Sequence, residues 1–271
     1  MNAKYLLIIC PLLLLTILTN NTLHAQDRLF TYTYQSTVLA QGQREVESWN
    51  TLRLGREDYY SRFDNRTEYE IGLGNNLQTA FYLNLTSSTR TAEENNSKSL
   101  VTNREIGFSN EWKLKLLDPV AHVVGLALYG EIGISGNETE LEGKVIFDKK
   151  IGNLVIALNG VYEHELSPEY TDNKLVWQKE NKAEAYLAFA YAITPQLHLT
   201  NENAFKNIIS NGKSVHSALF SGFGISYVSN NFWINCTAMP QLVSFKGHTD
   251  HNLNLEEYEK AQFRILFSFI L

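Results

Sequence analysis

Cysteine is almost missing from this chain: of 271 residues two are Cys, and one of these, Cys10, lies in the first apolar stretch. Past that stretch only Cys236 remains, so no intramolecular disulfide and no cysteine-based metal site can form. Proline is scarce as well, with 5 in the whole chain, which leaves long stretches free to run as strands. No run of five basic residues occurs, and the formal net charge is −6; that balance argues against nucleic acid as a partner. After residue 25 no apolar run approaches the roughly 18 residues of a spanning helix. HExxH, GxSxG and a phosphate-cradling glycine loop are all missing. His248, Asp250 and His251 share one polar loop but lack a fourth ligand. No catalytic residue, no metal and no cofactor are therefore expected.

What is present begins with a leader. Lys4 precedes an apolar run from Tyr5 to Thr19, and Leu23-His24-Ala25 puts a small residue before Gln26. Charge, apolar stretch and small-residue exit describe a cleavable signal peptide over residues 1–25, cut near Ala25-Gln26. Lys4 is the only Lys, Arg, Asp or Glu it would remove, taking the net charge from −6 to about −7.

Aromatics make up 12% of the chain, with 14 Tyr and 14 Phe, and the remaining sequence is dominated by two-residue alternation. Ile106, Phe108, Trp112, Leu114 and Leu116 share one face, while Glu105, Ser109, Glu111, Lys113 and Lys115 share the other. Leu126, Leu128, Ile132 and Ile134 oppose Ala127, Tyr129 and Glu131. Each such strand has one oily and one charged face. Tight turns near Gly74, Pro119, Gly152, Pro195 and Asn230 alternate with polar stretches at 88–99, 135–139, 167–178, 210–215 and 243–255, which read as longer loops. Trp112, Tyr191, Tyr227 and Phe232 collect beside the tight turns, where a membrane-interface girdle would lie.

These features predict an all-β fold: an antiparallel transmembrane β-barrel of roughly twelve strands over residues 43–271, with fourteen possible if a loop hides a strand. Gln26 to Ala40 also alternates, with Phe30, Tyr32 and Tyr34 on one face, but counting it would leave thirteen strands. Residues 26–42 are therefore read as a periplasmic N-terminal segment or a plug.

The last stretch, Ala261-Gln262-Phe263-Arg264-Ile265-Leu266-Phe267-Ser268-Phe269-Ile270-Leu271, alternates to the final residue. It resembles the C-terminal assembly signal of Gram-negative outer-membrane barrels, with Leu271 where that group usually carries Phe. The leader's Ala25-Gln26 resembles exported proteins of Bacteroidota. The resemblance implies a bacterial outer-membrane location, contact with outer-membrane lipid, and the barrel-assembly machinery as a partner of the last strand. It carries no functional residue.

The charged face is expected to line the lumen, with Glu47, Trp49, Arg53, Arg66, Glu68, Glu70, Glu105, Glu111, Lys113 and Glu131 as lining candidates, and Glu202 and Arg264 also inward. Mixed signs either satisfy one another across strands in a closed barrel or form a wet, cation-leaning path for a small polar solute. Three functions follow: a passive channel or transporter for small hydrophilic solutes, a lipid acyl hydrolase using His198 or the Ser214-Val215-His216-Ser217 stretch, or a closed barrel serving surface recognition through its loops. On this inside–outside assignment Leu126→Arg should block assembly and Glu131→Gln should be tolerated.

Overall fold

The computed structural model describes residues 28–94, 97–136, 138–171, 174–249 and 252–271. The expected leader, and Asp250 and His251, lie outside the described residues. Twelve strands follow in order: β1 (Arg44–Leu54), β2 (Tyr60–Gly74), β3 (Leu77–Glu94), β4 (Ser97–Leu117), β5 (Gly125–Ser135), β6 (Glu138–Ile151), β7 (Leu154–Thr171), β8 (Lys174–Ala192), β9 (Leu197–Ser210), β10 (Lys213–Val228), β11 (Phe232–Lys246) and β12 (Ala261–Ile270). Each pairs antiparallel with its neighbours in sequence, and β1 pairs β12 from Glu45↔Ile270 to Leu54↔Ala261. The sheet is a closed barrel of twelve strands, so the fourteen-strand alternative falls away.

Closure follows from the alternation. Outward positions carry Ile106, Phe108, Leu114, Leu128, Ile132 and their counterparts around the ring, all exposed. Inward positions carry the polar residues and are buried at the turn end of the barrel. A sheet whose apolar face meets lipid can have no free edge, because each unpaired N–H or C=O there goes unsatisfied. A few polar side chains do face outward on β1 and β2, and they bond one another. Asn65 Nδ2 donates to Asn50 Oδ1 at 3.0 Å and to Ser48 Oγ at 3.2 Å.

The turns expected near Gly74, Pro119, Gly152, Pro195 and Asn230 lie at one end, with the chain termini of the barrel. Asn75 (φ 52°) and Asn76 (φ 63°) form the left-handed pair that a two-residue hairpin of this twist requires. In the β4–β5 turn, Lys115 Nζ and the Val120 N–H both donate to Asp118, which drops to a pKa of about 2. Next to this end the exposed Tyr227, Phe232 and Phe269 stack in series at 5.9 and 6.4 Å, an aromatic girdle.

At the other end, the hairpin end, the expected loops at 88–99, 135–139, 167–178 and 210–215 prove to be mostly strand. β3 and β4 stay paired out to Glu94↔Ser97, and β7 and β8 to Thr171↔Lys174. Beyond the lipid both faces of a hairpin meet water, so alternation of apolar residues lapses while backbone pairing continues. Thr89 and Thr102, for example, bond across the pair at 2.9 Å. Among the described residues at this end, the long connection is the one between β11 and β12, whose residues 252–260 fold back into the barrel mouth with Leu255 and Tyr258 buried.

Residues 28–40 form no strand. They run through the barrel interior, and the wall makes room for them with glycine. A Cβ on Gly72 would lie 2.1 Å from the Ala40 carbonyl oxygen, and one on Gly125 would lie 2.3 Å from Ser36 Oγ.

Two substitutions test the inside–outside assignment. Leu126 faces outward but sits beside the turn, so Ile132, nearer mid-depth, is the sharper probe. Ile132→Arg should cost about 2–4 kcal/mol and abolish the faster gel migration of unheated folded barrel. Glu131→Gln should still assemble, yet it is not neutral: Arg66 Nη2 lies 2.5 Å from Glu131 Oε1. Losing that charge-assisted bond should cost about 1–3 kcal/mol, seen as a lower temperature of conversion to the slow-migrating form.

Candidate functional site

The inner segment is held by wall side chains that bond its backbone. Glu202 on β9, fully buried, is the main anchor. Its carboxylate accepts the N–H groups of Thr31 at 2.8 Å, Tyr32 at 2.8 Å and Thr33 at 2.9 Å, together with the Thr31 hydroxyl at 2.7 Å and the Thr237 hydroxyl at 3.0 Å. Asn159 accepts from Tyr34 N–H at 2.6 Å and donates to the Tyr34 carbonyl at 2.9 Å. Asp148 takes the Ser36 N–H at 3.1 Å and Gln78 the Leu39 N–H at 2.9 Å. Acceptors on β3, β6, β7 and β9 thus provide for a backbone that has no strand partner.

Its side chains fan out rather than sharing one face. Phe30 packs with Leu29, Val155, Ala157, Ala188 and Ala190. Tyr32 joins Phe220, Met239 and Tyr258. Tyr34 meets Trp49 and Tyr129, with ring centroids 6.1 and 5.2 Å away. The Arg28 guanidinium lies 4.1 Å from the Trp49 ring centroid and 4.4 Å from that of Tyr34, and 3.4 Å from Glu47.

This segment divides the interior into two levels, and the ten lining candidates divide with it. Trp49, Arg53, Arg66, Glu105 and Glu131 border an open chamber of about 560 Å³ towards the hairpin end, with Tyr32 and Tyr34 also on its surface. Glu47, Glu68, Glu70, Glu111 and Lys113 are instead packed below, each nearly inaccessible. All ten project inward, but only five border the chamber.

At the packed level, register sets Glu45 opposite Glu70 and Glu47 opposite Glu68. Like charges so placed repel, and hydrogen-bond donors surround them. Trp49 Nε1–H donates to Glu47 and Trp233 Nε1–H to Glu45, both at 2.7 Å, while the Tyr82 hydroxyl bonds Glu111. Glu45, Glu47 and Glu70, and again Glu68, Glu70 and Glu111, bring carboxylate oxygens within 4.8 Å of one another. Such oxygens are the ligand type of a hard cation.

At the chamber level twelve carboxylates face eight cationic side chains. Arg53 bridges Asp64 at 2.9 Å and Glu259 at 3.3 Å. Burial opposes ionisation of Glu259, but Arg53, Lys206 and Arg56 together outweigh it and hold that carboxyl below its ordinary range. Lys182 sits 2.7 Å from Glu163 and bonds Glu165.

Two of the residues considered for acyl hydrolysis bond to asparagines. The His216 ring meets Asn254 at 3.0 Å, and the Ser214 hydroxyl donates to Asn207 at 2.5 Å. The residues missed by sequence reasoning are Arg28, Tyr32 and Tyr34 as parts of the site. A stretch whose alternation would give an odd strand count was the available signal.

The family model described as "Family of unknown function (DUF6662)" matches residues 22–271. No curated protein matches. Among solved structures, the COG4313 outer membrane channel from Pseudomonas putida F1 is similar at 9% identity and a TM-score of 0.63, over 87% of this chain and 98% of that one. The translocator domain of autotransporter NalP from Neisseria meningitidis gives 10% and 0.60, over 85% and 88%. The NanC porin gives 14% and 0.53, over 83% and 100%. At these identities the likeness is one of fold, and all three share the outer-membrane barrel. The chain belongs to DUF6662, a family of unknown function, and has the fold of an outer-membrane β-barrel.

Proposed function

We propose that the protein is a channel for small hydrophilic solutes, entered from the hairpin end and closed at mid-depth by residues 28–40. The observation that carries this reading is the way the segment is held. Its backbone N–H groups at Thr31, Tyr32, Thr33, Tyr34, Ser36 and Leu39 all go to wall side chains. It can therefore shift without breaking any pairing that closes the barrel. A polar chamber of about 560 Å³ above it suits a small solute. The excess of carboxylates over cations in its lining favours cations. The structures named above include a channel and a porin.

Surface recognition is a second reading, supported by Tyr170, Leu175 and Trp177, which stand exposed near the tip of the β7–β8 hairpin. Shortening that hairpin while the barrel still folds should then abolish capture of a cell-surface partner, whereas a solute channel should conduct unchanged.

The channel reading is tested in a planar bilayer under a salt gradient. The intact protein should conduct in rare, brief steps. Removing residues 28–40, or Glu202→Ala, should give long-lived steps with a reversal potential on the cation side. Variants that run as folded barrels on an unheated gel yet stay as silent as the parent would sink the idea.

The glycines give an independent route to the same opening. Gly125→Leu places a side chain where Ser36 and Asp148 stand and should raise the open fraction. A rise confined to the segment deletion, with Gly125→Leu folded and silent, would mean that local displacement does not open the path.

A further inference from the structure

The chamber is electrically lopsided, and the strand order makes it so. In a closed ring of twelve strands β1 and β7 stand six places apart, on opposite walls. The β12–β1–β2 wall presents Arg264, Arg53, Arg62 and Arg66 to the chamber, with Arg56 from the loop after β1. Asp64 and, from the mouth loop, Glu257 and Glu259 stand among them. The β6–β7–β8 wall presents seven carboxylates against Lys144 and Lys182.

Internal ion pairs do not erase this difference. Lys144 is taken by Glu142 at 2.8 Å, and Lys182 by Glu163 and Glu165. On the same wall Glu138, Glu140 and Glu165 bring carboxylate oxygens within 4.8 Å of one another, and acidic groups there outnumber the two lysines. Across the chamber Arg264 spends its N–H groups on neutral oxygens, Thr51 Oγ1 at 2.8 Å and the Thr31 carbonyl at 3.1 Å. Its guanidinium lies 3.9 Å from the Tyr32 ring centroid, keeping its positive charge on the chamber wall.

Two facing surpluses of opposite sign set up a field across the lumen, which low-dielectric walls concentrate. A simple anion is drawn to one wall and repelled by the other, and a simple cation likewise. A solute carrying an ammonium at one end and a carboxylate at the other gains from both walls at once. Tyr32, Tyr34 and Trp49 offer aromatic surface to the uncharged middle of such a solute.

We propose that the chamber takes zwitterions with well-separated charges, of the short-peptide class. The ammonium faces Glu138, Glu140 and Glu165, and the carboxylate faces Arg264. This rests on reading the chamber as a solute site, and deepens that reading by naming the solute.

The test uses triglycine, N-acetyltriglycine and triglycinamide, which match in length and differ in charge at one end. Binding is measured by calorimetry on folded protein in detergent micelles, so no current is required. Triglycine should bind at least about tenfold more tightly than either blocked form. Glu140→Gln with Glu165→Gln should abolish its advantage over the N-acetyl form but keep its advantage over the amide. Arg264→Gln should do the reverse, and each variant is first checked for folded-barrel migration. If the Glu variant fails to fold, the Arg264→Gln comparison alone decides. Equal affinities within about twofold, no triglycine binding, or tightest binding by triglycinamide would overturn the proposal. Triglycine binding by a protein silent in bilayers would remove the channel and leave the zwitterion site. Steady current with no preference among the three would do the opposite.

Discussion

Every feature of this barrel depends on one constraint: backbone N–H and C=O groups facing lipid must be paired within the protein. The β1–β12 seam meets it by joining the first and last strands in unbroken register from Glu45↔Ile270 to Leu54↔Ala261. Once the sheet closes with its oily face outward, its polar residues are confined to an interior. That interior must either fill with water or be packed with groups able to bond them. This protein does both, at different depths.

The packed half works because donors are supplied from several directions. Carboxylates that oppose one another across β1 and β2 receive Trp49, Trp233 and Arg28. Arg28 comes from the inner segment, so the segment contributes charge as well as bulk. Glu202 then holds that segment by its backbone, with three N–H groups on one buried carboxylate. The level at which packing stops and the chamber begins is marked by Tyr32, Tyr34 and Trp49.

How much of this was legible in sequence varied with the physics behind each feature. The strands at Ile106–Leu116 and Leu126–Ile134 were plain, because lipid on one side and polar groups on the other impose a strict period of two. The same parity assigned Glu47 to Glu131 to the interior. It could not assign their depth, since alternation reports the side of a strand and not what lies across the lumen. Glu68 and Glu105 read alike, yet one is packed and the other borders the chamber. The hairpin extensions at Glu94↔Ser97 and Thr171↔Lys174 were hidden because water on both faces erases the pattern. Phe30, Tyr32 and Tyr34 mimicked a strand face, while Glu202, which holds the backbone at Tyr32, lies about 170 residues away in sequence.

Glu202, Asn159, Asp148 and Gln78 grip the inner segment through main-chain atoms, which every non-proline residue possesses. Identity at Tyr32 and Tyr34 is therefore loosely tied to the attachment itself. Across evolution the floor of the chamber can be rewritten by a few substitutions in one short stretch while the strands stay as they are. The surface that the segment shows to the chamber and the wall that grips it are in this way separable, and the one can change while the other is kept.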